Sequence, residues 1–226
     1  MNKDFDMEMV IDGLEEIEME NTAIDDLESE NVNLMFLGID QSGSMSSYTH
    51  DMKTSLANFK SALTNSKEAD EILVARADFN SRIDIGGYKK IDEFNTDFSA
   101  HGMTSLYDVI VDGTNKLQEY KTFLKEQGVR VKAVMAIFSD GEDTSSQNGF
   151  SNAKRCIEEL NNAEVTTAFI SFGSASLQIA KDLGFKNILD VQSSESELRN
   201  AFDCLSKSVI ESSKTVLPDG DDFFQF

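Results

Sequence analysis

Three short stretches of this 226-residue chain bring oxygen-bearing side chains close to glycines. They are Asp40-Gln41-Ser42-Gly43-Ser44-Met45-Ser46, His101-Gly102-Met103-Thr104-Ser105 and Ser139-Asp140-Gly141-Glu142-Asp143. The first and third each follow an apolar run, at 33–39 and 133–138, of the kind that makes a strand buried on both faces. Both stretches therefore sit at carboxyl ends of strands. Among the side chains these loops offer are two carboxylates, Asp40 and Asp140, and three hydroxyls, Ser42, Ser44 and Thr104. A hard divalent cation takes oxygen ligands, and magnesium in particular keeps several of its waters. Such a donor set fills part of a coordination shell and leaves a position open for a carboxylate from another molecule. Gly43 and Gly141 allow the tight turns that would bring the donors together.

Other chemistries fit these residues less well. A magnesium phosphohydrolase of the haloacid dehalogenase type also places an aspartate after its first strand. It needs a second aspartate two residues later to move protons, and Ser42 stands there. No Gly-x-Gly-x-x-Gly follows the first strand, so a dinucleotide fingerprint is absent. Two histidines and two cysteines without ligand spacing make a zinc site improbable. His101 reads as a surface or hydrogen-bonding residue, because an oxygen-lined magnesium site has no need of imidazole. Glu142 and Asp143 read as solvated loop charges near the site, and Asp108 as a helix-face or loop-bracing carboxylate. Most methionines read as core, while Met45 and Met103, on the site loops, are candidates for a partner-contact surface.

The elements that must position these loops alternate between strand and helix. Strands are expected at 33–39, 72–79, 133–138, 165–172 and 188–191. A turn at Asn80-Ser81 leads into an antiparallel edge strand at 82–85. Helices follow from apolar residues at three- and four-residue spacing: 52–63, 106–124, 153–160, 177–183 and 198–209, the last with Ser194 as its cap and Glu197 at the capping-box position. Residues 92–103 look irregular. The pattern predicts an α/β fold: a doubly wound, Rossmann-like, mostly parallel sheet with one antiparallel edge strand and helices on both faces. Ligands of such sheets sit beyond the carboxyl ends of the strands, where Asp40 and Asp140 fall.

With these residues in place, the chain resembles the von Willebrand factor A family. Asp40-x-Ser42-x-Ser44, then Thr104, then Asp140-Gly141 look like its metal-ion-dependent adhesion site, and the resemblance covers roughly residues 31–213. It implies that Ser42, Ser44 and Thr104 bind one Mg²⁺ or Mn²⁺ directly, and that Asp40 and Asp140 bind it directly or through water. It implies a protein-binding module rather than an enzyme, whose partner supplies an acidic residue as the last metal ligand. Integrin β-type domains carry further acids just after this loop for a second cation. Ser47 and Tyr48 stand at those places, so a single site is expected. Some bacterial relatives work beside AAA+ ATPases of the MoxR type or in tellurite-resistance and related stress operons, and a partner of that kind is implied. A structural scaffold whose metal site is incidental is the alternative.

Charge completes the expectations. The net charge of −21 disfavours nucleic acid as a direct ligand. Twelve acidic residues and one basic residue among the first thirty form an acidic leader, expected to be flexible and dispensable for folding. No apolar run is long enough for a membrane span, no secretory signal is evident, and Cys156 and Cys204 read as reduced core residues. A cytoplasmic location is therefore expected. Pro218 marks the exit into an acidic-aromatic tail at 214–226, which ends in three acids and three phenylalanines. The tail is similar to the acidic, phenylalanine-terminated tip of bacterial single-stranded DNA-binding proteins, which docks on partners. Folding back onto its own domain is the other reading.

Overall fold

The computed structural model describes residues 29–66, 71–191, 195–214 and 223–224. The first apolar run becomes the centre of the molecule. β1 (Asn31–Asp40) is paired in parallel on one side with β2 (Glu71–Phe79) and on the other with β5 (Arg130–Ser139). It is apolar from Leu34 to Ile39 because both of its faces are covered. Val32, Leu34 and Phe36 enter one core layer, and Met35, Leu37 and Ile39 enter the other.

The sheet runs β3-β2-β1-β5-β6-β7. β6 (Thr166–Phe172) and β7 (Asn187–Val191) continue the parallel half. β3 (Ile83–Ile85) turns back at Asn80 and pairs antiparallel with β2, matching Phe79 to Ile83. A two-residue β4 (Lys89–Lys90), not expected from the sequence, pairs antiparallel with β2 lower down. It is too short to carry a periodicity signal.

The helices are α1 (Thr49–Thr64), α2 (Leu106–Glu126), α3 (Phe150–Asn162), α4 (Ser174–Leu183) and α5 (Glu195–Lys214). α1 and α5 cover one face through Met52, Leu56, Phe59, Leu198, Phe202 and Leu205, with Phe202 stacked 4.5 Å from Phe138. α2, α3 and α4 cover the other. α2 lies close to β1 because Gly113 faces Phe36: a Cβ there would sit 2.5 Å from the ring. Cys156 and Cys204 are buried and unpaired on α3 and α5, and burial raises both thiols above their usual range.

The chain moves outward from β1 in one direction through α1 to β2, and in the other from β5 to β7. The direction of winding reverses between β1 and β5. At such a reversal the connecting loops diverge and leave a crevice beyond the strand ends. Asp40 and Ser139 close those two strands.

Beyond α5 the tail returns to the domain. Phe223 is buried in the α1/α5 layer, its N–H donates to Asn187 Oδ1 at 3.1 Å, and Phe224 packs beside it with ring centroids 5.4 Å apart. The acidic leader up to residue 28, the Ser194 cap and the rest of the tail lie outside the described residues. Among those described, no helix is long and apolar enough to cross a membrane.

Candidate metal centre

Asp40 is fully buried at the end of β1, and its two oxygens are fixed separately. Oδ1 accepts the Ser42 N–H at 2.8 Å, and Oδ2 accepts the Ser139 hydroxyl at 2.6 Å. Ser139 Oγ in turn accepts the Gly141 N–H at 2.9 Å. One hydroxyl therefore ties the end of β1 to the loop after β5. Burial pushes the Asp40 carboxyl up to about 6, against the hydrogen bonds from Ser139 and Ser42, and the charge of Asp140 adds to the rise. Asp140 is thus an electrostatic neighbour of Asp40. Its Oδ1 is buried and has no hydrogen-bond partner.

The first loop winds into a 3-10 turn, Gly43–Tyr48. The turn places Ser42 Oγ and Ser44 Oγ 3.0 Å apart, with Ser42 buried and Ser44 exposed. The same turn carries Met45 into the core, where it is fully buried. Met45 is therefore a core residue and no part of a contact surface. Met103 remains half exposed on the second loop.

The second loop is pinned to the first by two backbone hydrogen bonds, His101 N–H to Gln41 O at 2.7 Å and Gly43 N–H to Gly102 O at 3.0 Å. It is pinned to the third through Thr104. The Thr104 carbonyl accepts the N–H groups of Thr144 and Ser145, and its own N–H donates to Thr144 Oγ1 at 2.9 Å. Thr104 itself is buried. Each of the three loops is hydrogen-bonded to the other two, which brings the three segments bearing Asp40, Ser42, Ser44, Thr104 and Asp140 to one end of the sheet. His101 lies on the rim, exposed, 3.4 Å from the Asn80 amide.

Gly141 is required where it stands. Its φ is +89°, and a Cβ would lie 2.3 Å from the Ser176 backbone. This close approach to α4 sets the direction in which the chain leaves Asp140.

Two residues act in ways the sequence did not disclose. Ser139 was legible only as the first residue of the loop after the strand expected at 133–138, yet it ends β5 and joins Asp40 to the Gly141 N–H. Asp143, expected as a solvated charge, instead accepts the Tyr107 N–H at 3.3 Å and the Ser146 hydroxyl. Asp108 does brace a loop, as expected.

Among the described residues no three of His, Cys, Asp or Glu gather to hold a metal. The donors present are hydroxyls with two carboxylates, one of which keeps a buried, unpartnered oxygen. That set fits a hard cation with retained waters.

No family model matches the chain, and no curated protein matches it. Solved structures do. The pilus adhesin SpaC of Lactobacillus rhamnosus GG superposes with a TM-score of 0.64 at 13% identity, covering 82% of this chain and 31% of the adhesin. A von Willebrand factor type A protein from Catenulispora acidiphila gives 0.57 at 15%, covering 80% and 43%. Proximal thread matrix protein 1 of the mussel byssus, with a zinc-occupied metal-ion-dependent adhesion site, gives 0.55 at 16%, covering 81% and 46%. The chain spans under half the length of each of these proteins. The fold of this chain is that of a von Willebrand factor type A domain.

Proposed function

We propose that this chain is a protein-binding module that grips a partner through one divalent cation, Mg²⁺ or Mn²⁺, held by Asp40, Ser42, Ser44, Thr104 and Asp140. The observation that carries the reading is the Asp140 Oδ1 atom, buried without a hydrogen bond beside a second buried carboxylate. Two carboxylates in a desolvated crevice repel one another, and an unpartnered buried oxygen is costly; a cation between them relieves both penalties. The remaining donors are neutral hydroxyls. They add no charge, so the ion stays electron-poor and open to a carboxylate presented by the partner. The adhesin and the zinc-occupied site among the structural neighbours accord with this use of the fold.

The reading is of a binder and not of an enzyme. The position two residues after Asp40, where a phosphohydrolase keeps its proton-transferring acid, is Ser42. An AAA+ ATPase or a stress-operon protein presenting an acidic side chain is the kind of partner proposed, in the cytoplasm.

Titration calorimetry with MgCl₂ and MnCl₂ tests the metal assignment. The wild type is expected to bind one ion weakly, and Asp40→Ala and Thr104→Ala to lose at least tenfold in affinity, the scale typical of disturbing a metal site. Equal binding by all three proteins would remove the assignment.

A further inference from the structure

The start of α2 is capped by a different part of the chain. Its own N-cap residue, Ser105, makes no side-chain capping bond. The first N–H groups of a helix have no partner within the helix and must find one elsewhere. Here Tyr107 N–H donates to Asp143 Oδ1, and Asp108 N–H donates to Ser146 Oγ at 3.1 Å. Both acceptors belong to the loop after β5, some 36 to 38 residues away.

The exchange is reciprocal. Asp108 Oδ2 accepts the Gln147 N–H at 2.8 Å, and Oδ1 accepts the Asn148 N–H at 2.7 Å and the Asn148 side-chain amide at 2.8 Å. Ser105 Oγ and Ser145 Oγ are 2.8 Å apart. The result is a capping box built across two segments, each supplying acceptors for the other's orphan donors.

This clasp has Thr104 at one end and the Asp140 loop at the other. We propose that Asp108 is a positioning residue for the cation site: by holding the 143–148 segment against the start of α2, it fixes Asp140 relative to Thr104. The inference rests on the metal-binding reading above. It also separates the roles of the neighbouring acids. Asp143 and Asp108 are engaged with backbone N–H groups and hydroxyls, and Asp140 alone of the three keeps a buried oxygen without a partner. Groups that hold first ligands in place commonly contribute 10- to 100-fold to metal affinity without touching the ion.

The test is Mn²⁺ titration of the full chain, with thermal unfolding measured in parallel. Asp108→Asn turns one acceptor oxygen into a donor facing an N–H and is expected to raise the Mn²⁺ Kd about tenfold. Ser146→Ala removes only a hydroxyl, leaves the charge unchanged, and is expected to raise Kd a few-fold in the same direction. Asp112→Asn, one turn further along α2, takes the same charge from the same helix, makes none of these hydrogen bonds, and is expected to bind as the wild type does.

An Asp108→Asn protein with wild-type Kd overturns the inference, as does an Asp112→Asn protein that loses as much. If Asp108→Asn fails to fold, Ser146→Ala decides, and an unchanged Kd there overturns it. A wild type that binds no Mn²⁺, or an Asp40→Ala protein that binds as well as the wild type, overturns the metal reading itself and this inference with it.

Discussion

Asp40 and Asp140 are neighbouring carboxylates in unlike surroundings. Asp40 has both oxygens hydrogen-bonded inside the protein, while Asp140 leaves one unpartnered. Burial raises Asp40 to about 6, so the metal-free native state favours its protonated form. The corresponding stabilisation is fully present below the ordinary aspartate range and is lost as pH rises through about 6, a difference of roughly 3 kcal/mol. Unfolding curves without metal should therefore show the wild type losing stability relative to Asp40→Asn between about pH 4 and pH 6.5, with little further change above that. A gap that stays constant across that range would show that Asp40 ionises normally. Saturating Mg²⁺ should shrink the effect, and Mg²⁺ affinity should fall as pH drops through 6, because protons compete for the same oxygen. The donor types and their placement at strand ends were legible in the sequence, since both follow from short local patterns. The partners of Ser139, Asp143 and Asp108 were not, because hydrogen bonds spanning 36 to 99 residues leave no local signal. Met45 was misplaced for a related reason: only the sense of the 3-10 turn decides whether its side chain points in or out.

The strands and helices around the site were readable from periodicity, and the segment between β4 and α2 was readable as irregular, but not what holds it. After β4 the chain runs through a short 3-10 turn, Ile91–Glu93, and then irregularly to Thr104. A long side chain from β2 holds this stretch. Arg76 donates to the carbonyls of Asn95, at 2.6 Å, and Asp97, pairs with Asp78 at 2.8 Å, and lies 5.8 Å from the centre of the Phe94 ring. Phe94 is itself buried against Phe59, and its carbonyl accepts from Lys60. Burial raises Asp78 despite the guanidinium beside it. Removing Arg76 would strand that carboxylate along with two carbonyls. Arg76→Ala should cost about 2 kcal/mol in chemical denaturation, the scale of losing charge-assisted hydrogen bonds at a partly buried site. Arg76→Lys should recover only a minor part, since an ammonium lacks the planar fork that reaches three acceptors at once. Full recovery by lysine would mean that charge alone matters. Sequence periodicity could not find this strut because β2 presents Arg76 on the same alternation that elsewhere marks a core position.

At the scale of the whole chain, the last contacts come from its far end. Phe223 fills a place in the α1/α5 layer, so Phe223→Ala should lower stability by about 3 kcal/mol, as buried phenylalanine truncations do. An unchanged melting temperature would indicate that the tail docks elsewhere in solution. At the other end, Glu30 still belongs to the sheet, since its carbonyl accepts the Arg130 N–H at 2.8 Å. A protein beginning at Ser29 should fold cooperatively with unchanged denaturant midpoint to within about 0.5 kcal/mol, the range of changes that touch no packed contact. A larger loss would show that the acidic leader packs against the domain. The bond from Ser139 to Asp40 has a further consequence for how the molecule is made. It spans 99 residues, and it closes the parallel pairing at the very centre of the sheet. On the ribosome β1 emerges before β5 and must wait for it before its second edge is covered, while contacts so distant in sequence slow folding. An unpaired apolar strand held open in this way is an aggregation hazard.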